Sequence, residues 1–132
     1  MAIDRSAITD KVLSGTGTPT LDFTSPMTPG YSKSLKGNEV LKYNKAKAKE
    51  LWKKADAISK FTGKLTFSYN ADGGHEPIYK AVVNSINNTL GSEVAATNPM
   101  PTFNEFRDAV LATQLAFLGV GLEVLEAGGD GE

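Results

Sequence analysis

The sequence predicts an α/β fold built around one βαβ unit, with parallel strands flanked by helices. Residues 65–70 alternate apolar and polar side chains, and 93–97 form a second short candidate strand. A long apolar helical pattern separates them, which is the spacing of a crossover between parallel strands, and such crossovers are right-handed. The chain of 132 residues has the length of one domain.

Composition excludes several functional classes. The 14 Lys and Arg residues nearly balance the 15 Asp and Glu residues, whereas a general nucleic-acid binder needs an excess of positive charge. No apolar run reaches the roughly 20 residues that cross a bilayer. Without cysteine and with one histidine, the chain has no disulfide framework, thiol nucleophile or Cys/His zinc centre.

The first third of the chain is predicted to be one short helix and a long irregular segment. Asp4 is the expected helix cap, and Gly15 is placed to end the helix in a left-handed conformation. From there to about Gly37, glycine, proline and hydroxyl residues alternate, so regular structure is not expected. We interpret this segment either as a wall or hinge of a binding cleft or as a surface meander over the core.

A second helix is expected to begin after Asn44, its cap. Its predicted apolar stripe consists of Ala48, Leu51, Trp52, Ala55 and Ile58. Lysines surround the stripe, and we interpret them as a solvated face rather than a phosphate-binding surface, because no arginine or aromatic residues are interleaved.

The βαβ unit comprises the strand 65–70, a tight turn, a helix and the strand Glu93–Thr97. Pro77 suits the first turn of the helix, and Gly91 is expected to end it. The buried seam of that helix is predicted to be Ile78, Val82, Ile86 and Leu90.

A final helix is expected after Pro101, because Thr102 and Glu105 have the spacing of a capping box. Phe103, Phe106 and Val110 form its predicted buried stripe. We divide the chain into a domain at 1–110 and a tail at 111–132 that is first apolar and then rich in glycine and acidic residues, with partial disorder expected.

Two possible sites have weak support. The run Gly15-Thr16-Gly17 follows a helix and precedes a proline, whereas a dinucleotide-binding glycine motif follows a strand and opens a helix. Asp72, His75 and Glu76 are three potential metal donors in one turn, which is common by chance. No nucleophile, base and orienting group fall into a defensible catalytic arrangement, so we predict no enzyme activity and no cofactor.

The ends of the predicted strands offer a better binding site. Ligands of open α/β sheets bind beyond the carboxyl ends of the strands, which here are Asn70–His75 and Asn98–Met100. Arg107, one turn into the final helix, is within reach of the same edge and is able to clamp a carboxylate. The alternative for Arg107 is a surface ion pair with Asp108 or Glu105.

Five segments in order resemble the solute-binding proteins of peptide-type ABC importers, which capture oligopeptides, dipeptides or nickel complexes. The similar segments are Ala2-Ile3-Asp4-Arg5, the Gly/Pro-rich loop, Tyr43–Leu51, the βαβ unit with His75, Leu90-Gly91 and Val94, and Thr102–Arg107. The resemblance covers residues 2–110 and implies part of the C-terminal lobe of a periplasmic-binding-protein type II fold. The family's following Gly-Trp and Ala-Asp-Tyr segment is missing from 111–132, which we interpret as truncated or foreign sequence.

The resemblance also implies site residues and partners. His75 matches a position that faces the peptide's C-terminal carboxylate, Arg107 matches a pocket arginine, and Met100 replaces a pocket tryptophan. The implied partners are a peptide and the permease subunits of an importer, without nucleic acid. The implied location is extracytoplasmic, with membrane attachment only through an upstream lipid anchor.

The sequence leaves alternatives open for the location of the protein and for its function. Only Ala2 and Ile3 separate Met1 from the first charge, so the first residues do not have the pattern expected of an export signal. The protein is then either cytoplasmic or a piece of a longer exported chain, and the resemblance favours the second. The alternative function is a free-standing α/β domain with hydrolase or phosphate-binding chemistry.

Overall fold

A computed structural model describes residues 1–22, 24–32 and 35–112. The fold is α/β with two parallel strands flanked by helices, as predicted. The helices are α1 (Arg5–Ala7), α2 (Lys45–Ile58), α3 (Glu76–Leu90) and α4 (residues 103–112), and the strands are β1 (Leu65–Asn70) and β2 (Ala95–Met100). None of the helices in these described ranges is long and apolar enough to cross a membrane.

The N-terminal segment forms a short helix that continues as a π-helix over Ile8–Val12. The predicted cap is confirmed, since the Ala7 N–H donates to Asp4 Oδ1 at 3.0 Å. Gly15 follows the π-helix with a left-handed φ of 75°, as expected. The described residues between there and Gly37 are turns and bends, and a 3₁₀ helix occupies Asn38–Leu41.

Helix α2 begins as predicted but does not bury its predicted face. Asn44 Oδ1 accepts from the Lys47 N–H at 2.9 Å, which is a normal N-cap. Of the five stripe residues only Ala48 is buried, while Leu51 is 45% and Ile58 89% exposed. The stripe is therefore wrong as a buried set: helical spacing places residues on one face, but burial also needs a facing element.

The two strands are parallel. The Leu65 N–H donates to the Val94 carbonyl at 2.8 Å, and Asn98 Nδ2 donates to Ser68 Oγ at 3.2 Å. The paired positions advance together along both strands, which is the parallel arrangement. β1 has the predicted bounds. β2 begins at Ala95 rather than at the predicted Glu93, because Glu93 has a φ of 75° and lies in the turn after α3.

Two compact units divide the chain, and both strands contribute to each. The first comprises Met1–Phe67 and Glu76–Thr97. Its core contains the buried side chains of Val83, Ile86 and Ala95, with Phe67 and other partly buried side chains around them. Within this unit α3 contacts α2 and the π-helix. Of the four residues predicted for the seam of α3, Ile86 is buried, while Ile78, Val82 and Leu90 are partly buried.

The second unit comprises Ser68–His75 and Asn98 onward. It contains the C-terminal halves of both strands, the turn after β1 and α4. Tyr69 is its most buried described residue, at 2% exposure. The predicted buried stripe of α4 is wrong for Phe103 and Val110, which are 54% and 38% exposed. Of the predicted tail 111–132, Leu111 and Ala112 continue α4, and the remainder lies outside the described residues.

Candidate functional site

The turn after β1 is held by the side chains of its own short sequence. Asn70 Nδ2 donates to Asp72 Oδ1 at 2.6 Å, across the 3₁₀ turn Ala71–Gly73. Gly74 follows with a φ of 71°, a conformation that glycine adopts without a Cβ penalty. This local pattern of asparagine, aspartate and two glycines therefore turns the chain sharply from the end of β1 toward α3.

The His75 ring packs directly on the backbone of the turn. A Cβ placed on Gly73 would lie 2.7 Å from His75 Cδ2 and 2.5 Å from Asn70 Nδ2. Real Cβ contacts are not this short, so Gly73 leaves the space that the imidazole and the Asn70 amide occupy. The position of His75 is thus tied to the conformation of the turn.

The start of α4 satisfies its backbone donors with three side-chain contacts. The predicted capping box is confirmed: Thr102 Oγ1 accepts from the Glu105 N–H at 3.3 Å, and Glu105 Oε2 accepts from the Thr102 N–H at 3.1 Å. The Phe103 N–H, which the box does not reach, donates to Asp72 Oδ2 at 3.1 Å. Asp72 therefore connects the turn after β1 to the first turn of α4.

Asp72 is ionised over a wider pH range than a free aspartate. The hydrogen bond from Asn70 holds the pKa of the Asp72 carboxyl below its usual range, and the bond from the Phe103 N–H acts in the same direction. The positive charge of His75 makes a smaller contribution to the same lowering. Both carboxylate oxygens of Asp72 accept hydrogen bonds from residues of the second unit.

The three residues predicted to bind ligand belong to this second unit. His75 ends the turn after β1 and is exposed, Met100 ends β2 and is partly buried, and Arg107 is exposed on α4. Arg107 lies four residues after Phe103, so both residues lie on the same side of the helix. Within the described ranges, no hydrogen bond or ion pair joins the three side chains directly to one another.

Arg107 has an ion-pair partner in its sequence neighbour. Its Nη2 and Nε donate to Asp108 Oδ1 at 3.0 and 3.2 Å. This is the pair that the sequence offered as the alternative role of Arg107. The Arg107 and Asp108 side chains are 53% and 66% exposed, so the pair is solvated and weak.

The metal and phosphate alternatives find no support in the described part of the chain. Glu76 forms an ion pair with Lys80 one turn along α3, and Asp72 uses both oxygens in the contacts above. No group of three potential metal-ligating side chains occurs among the described residues. Gly15 follows a π-helix and does not open a helix, so the glycine pair lacks the setting of a phosphate loop.

Sequence reasoning did not identify the connecting role of Asp72. It placed Asp72 in the tight turn and in the strand-end segment Asn70–His75, and it considered the carboxylate itself only as a possible metal donor. The partner, the Phe103 N–H, is 31 residues away in sequence. A contact of this separation has no local pattern from which to predict it.

One family comparison bears on the whole arrangement. Residues 1–120 match the family described as bacterial extracellular solute-binding proteins, family 5 Middle. The matched range includes both compact units up to α4 and all three predicted ligand-binding residues. A comparison with curated proteins finds no match to the chain.

Proposed function

The chain belongs to family 5 of the bacterial extracellular solute-binding proteins, and on this basis we propose that it forms one wall of a cleft that captures oligopeptides for an ABC importer. Members of this family are non-catalytic binding proteins of ABC transport and act outside the cytoplasm. Family membership thus favours ligand capture over the alternative of a free-standing hydrolase or phosphate-binding domain. The peptide ligand, the permease contact and an upstream lipid anchor are our proposals.

The observation that supports a ligand site most directly is the make-up of the second unit. It gathers the carboxyl ends of two parallel strands and the start of α4 into one compact body. In open α/β folds this end of the strands is where ligands bind. His75, Met100 and Arg107 all belong to that body, although they are far apart in sequence.

The chemistry of the three side chains suits the C-terminal end of a peptide. Arg107 supplies planar N–H donors and a permanent positive charge for a carboxylate. His75 supplies a second N–H donor from its imidazole ring. Met100 supplies a flexible, polarisable apolar surface, which adapts to side chains of different shape. We therefore propose oligopeptides of varied sequence rather than one fixed peptide.

Titration of the isolated chain with tri-L-alanine, followed by NMR, tests this function. We expect shifts at His75 and Arg107 with millimolar affinity, because one wall alone offers only part of a cleft. His75→Ala and Arg107→Ala should each weaken binding about tenfold, since each removes a hydrogen bond to a charged group. Lys49→Ala, which removes an exposed charge from α2, is the matched control and should bind as the wild type does.

Two results would contradict the proposal. The first is equal affinity in the wild type and in both site variants, which would remove His75 and Arg107 from the site. The second is micromolar binding of tri-L-alanine by the isolated chain, which a single wall does not explain.

A further inference from the structure

We infer, on the basis of the proposed function, that Asp72 is the positioning residue of the ligand site. Its carboxylate joins the turn that carries His75 to the start of the helix that carries Arg107. Asp72 would thus set the spacing of the His75 and Arg107 side chains without contacting the ligand.

The bond to α4 meets a requirement of the helix itself. The first N–H groups of a helix have no partner within the helix, and negative charge is stabilised at this end. The capping box accounts for the N–H groups of Thr102 and Glu105, and Asp72 accounts for that of Phe103. Removing the carboxylate leaves the Phe103 N–H without its acceptor, so α4 loses its connection to the turn.

The other oxygen of Asp72 controls the turn. It accepts from Asn70 Nδ2, and that same amide packs on Gly73 beside the His75 ring. The Asn70 amide, the Gly73 backbone and the imidazole are therefore in one packed group that the Asp72 carboxylate holds. A change at Asp72 is transmitted to His75 through this group.

Loss of Asp72 is expected to weaken the contacts with the carboxylate of a ligand more than the contacts with its other groups. A carboxylate that contacts both His75 and Arg107 needs the two donors at a fixed separation, and small displacements weaken both contacts. A peptide amide lacks the carboxylate charge, so its affinity depends little on the spacing of His75 and Arg107. Loss of Asp72 should therefore reduce the preference for peptide acid over peptide amide.

The test compares tri-L-alanine with tri-L-alanine amide by NMR titration of the full 132-residue chain. We define discrimination as the ratio of the two dissociation constants. Asp72→Ala should lower this ratio about tenfold, and Asp72→Asn, which retains one acceptor oxygen for the Phe103 N–H, about threefold. The amide's own dissociation constant should change little, whereas a general loss of structure would weaken both ligands together.

Asp56→Ala is the matched control. Asp56 Oδ1 accepts from the Phe61 N–H at 2.9 Å in the first unit, so its loss removes a similar carboxylate–backbone bond outside the site. This variant should retain the wild-type ratio. If Asp72→Ala fails to fold, the expected threefold decrease of the ratio in Asp72→Asn still tests the positioning role of Asp72.

The outcomes separate the positioning role from the proposed function. Wild-type discrimination that persists in Asp72→Asn, while the Phe103 amide resonance moves, overturns the role of Asp72 and leaves the ligand site intact. A wild-type chain that binds acid and amide equally overturns the proposed carboxylate site, and the positioning role with it.

Discussion

At the scale of single residues, His75 and Arg107, two of the predicted ligand contacts, each have an acidic neighbour. Asp72 lies close enough to His75 for their charges to interact, and Asp108 forms an ion pair with Arg107. The two acids differ in what they do. Asp72 is bound on both oxygens, whereas Asp108 forms an exposed pair that a ligand carboxylate is able to replace.

Replacing Asp108 with asparagine should strengthen binding of tri-L-alanine. A ligand carboxylate no longer competes with an ion pair for Arg107, and exposed pairs of this kind correspond to at most about a fivefold change in affinity. NMR titration of wild type and Asp108→Asn measures the ratio. Asp10→Asn removes an equal charge from the first unit and is the control. Weaker or unchanged binding in Asp108→Asn would show that the Arg107–Asp108 pair does not compete with the ligand.

Glu50 gives α2 a pH-dependent contribution to stability. Its oxygens lie 2.8 Å from Lys54 Nζ and 3.0 Å from Lys47 Nζ. The hydrogen bond from Lys54, and after it that from Lys47, lowers the pKa of Glu50 from 4.5 to about 2. A carboxyl with a lowered folded-state pKa stabilises the fold above its ordinary pKa. That contribution is lost as the pH falls from 4.5 toward 2.

The melting temperature of the wild type should therefore exceed that of Glu50→Gln at pH 6, and the difference should close between pH 4.5 and 2. Circular dichroism melts across this range measure it. Because the site is exposed, the difference is expected to be small and to shrink at roughly 1 M salt. A difference that persists at pH 2 would mean that the two lysines do not cause the effect.

At the scale of secondary-structure elements, the capping residues were reliable signals, whereas the buried faces predicted from helical spacing in α2 and α4 were not. The caps at Asp4, Asn44 and Thr102 were predictable because each bonds an N–H three residues ahead. The bounds of β1 were predictable from alternation alone. The start of β2 was not, because Glu93 adopts a φ of 75° in the turn after α3, and a side chain of α3 bonds to Ala95, where the strand begins.

That side chain is Asn87, whose amide bonds both backbone groups of Ala95, the first residue of β2. Asn87 Oδ1 accepts from the Ala95 N–H at 2.8 Å, and Asn87 Nδ2 donates to the Ala95 carbonyl at 2.9 Å. Ala95 is 3% exposed, so water does not replace these partners readily. The amide of Asn87 thus takes the place of a neighbouring strand at this point.

Asn87→Ala should lower the free energy of unfolding by about 1–3 kcal/mol, because it leaves the buried N–H and carbonyl of Ala95 without partners. Urea denaturation measures the change. Asn88→Ala alters an exposed neighbour on the same helix and is expected to change stability by less than about 0.5 kcal/mol. Equal losses in the two variants would mean that helix propensity, and not the contact with Ala95, accounts for the effect.

At the scale of the whole molecule, the fold class and the family were accessible from the sequence, while the geometry of the site was only partly so. The βαβ order assigns Asn70–His75 and Met100 to strand ends, and the capping box sets the start of the helix that carries Arg107. The joining bond from Asp72 to Phe103 links two segments that are 31 residues apart. Its existence depends on tertiary packing, which no sequence pattern specifies.

The first unit concentrates its burial in a small core. Val83, Ile86 and Ala95 are its buried hydrophobic centre, whereas Leu51 and Ile58 of α2 remain largely exposed. Ile58 is the last residue of α2 and Ile86 lies within α3, and their burial is opposite, at 89% and 5% exposure. This contrast allows the loss of a buried isoleucine side chain to be compared with the loss of an exposed one.

Ile86→Ala should lower the free energy of unfolding by about 2–5 kcal/mol, since it removes buried methyl groups and leaves a cavity. Domains of this size are stable by about 5–15 kcal/mol in total, so the variant should be partly unfolded in moderate urea. Ile58→Ala removes the same atoms from an exposed position and should change stability by less than about 0.5 kcal/mol, with alanine's higher helix propensity offsetting any loss. Urea denaturation of both variants makes the comparison. A large loss in Ile58→Ala would show that the exposed face of α2 has a packing partner in solution.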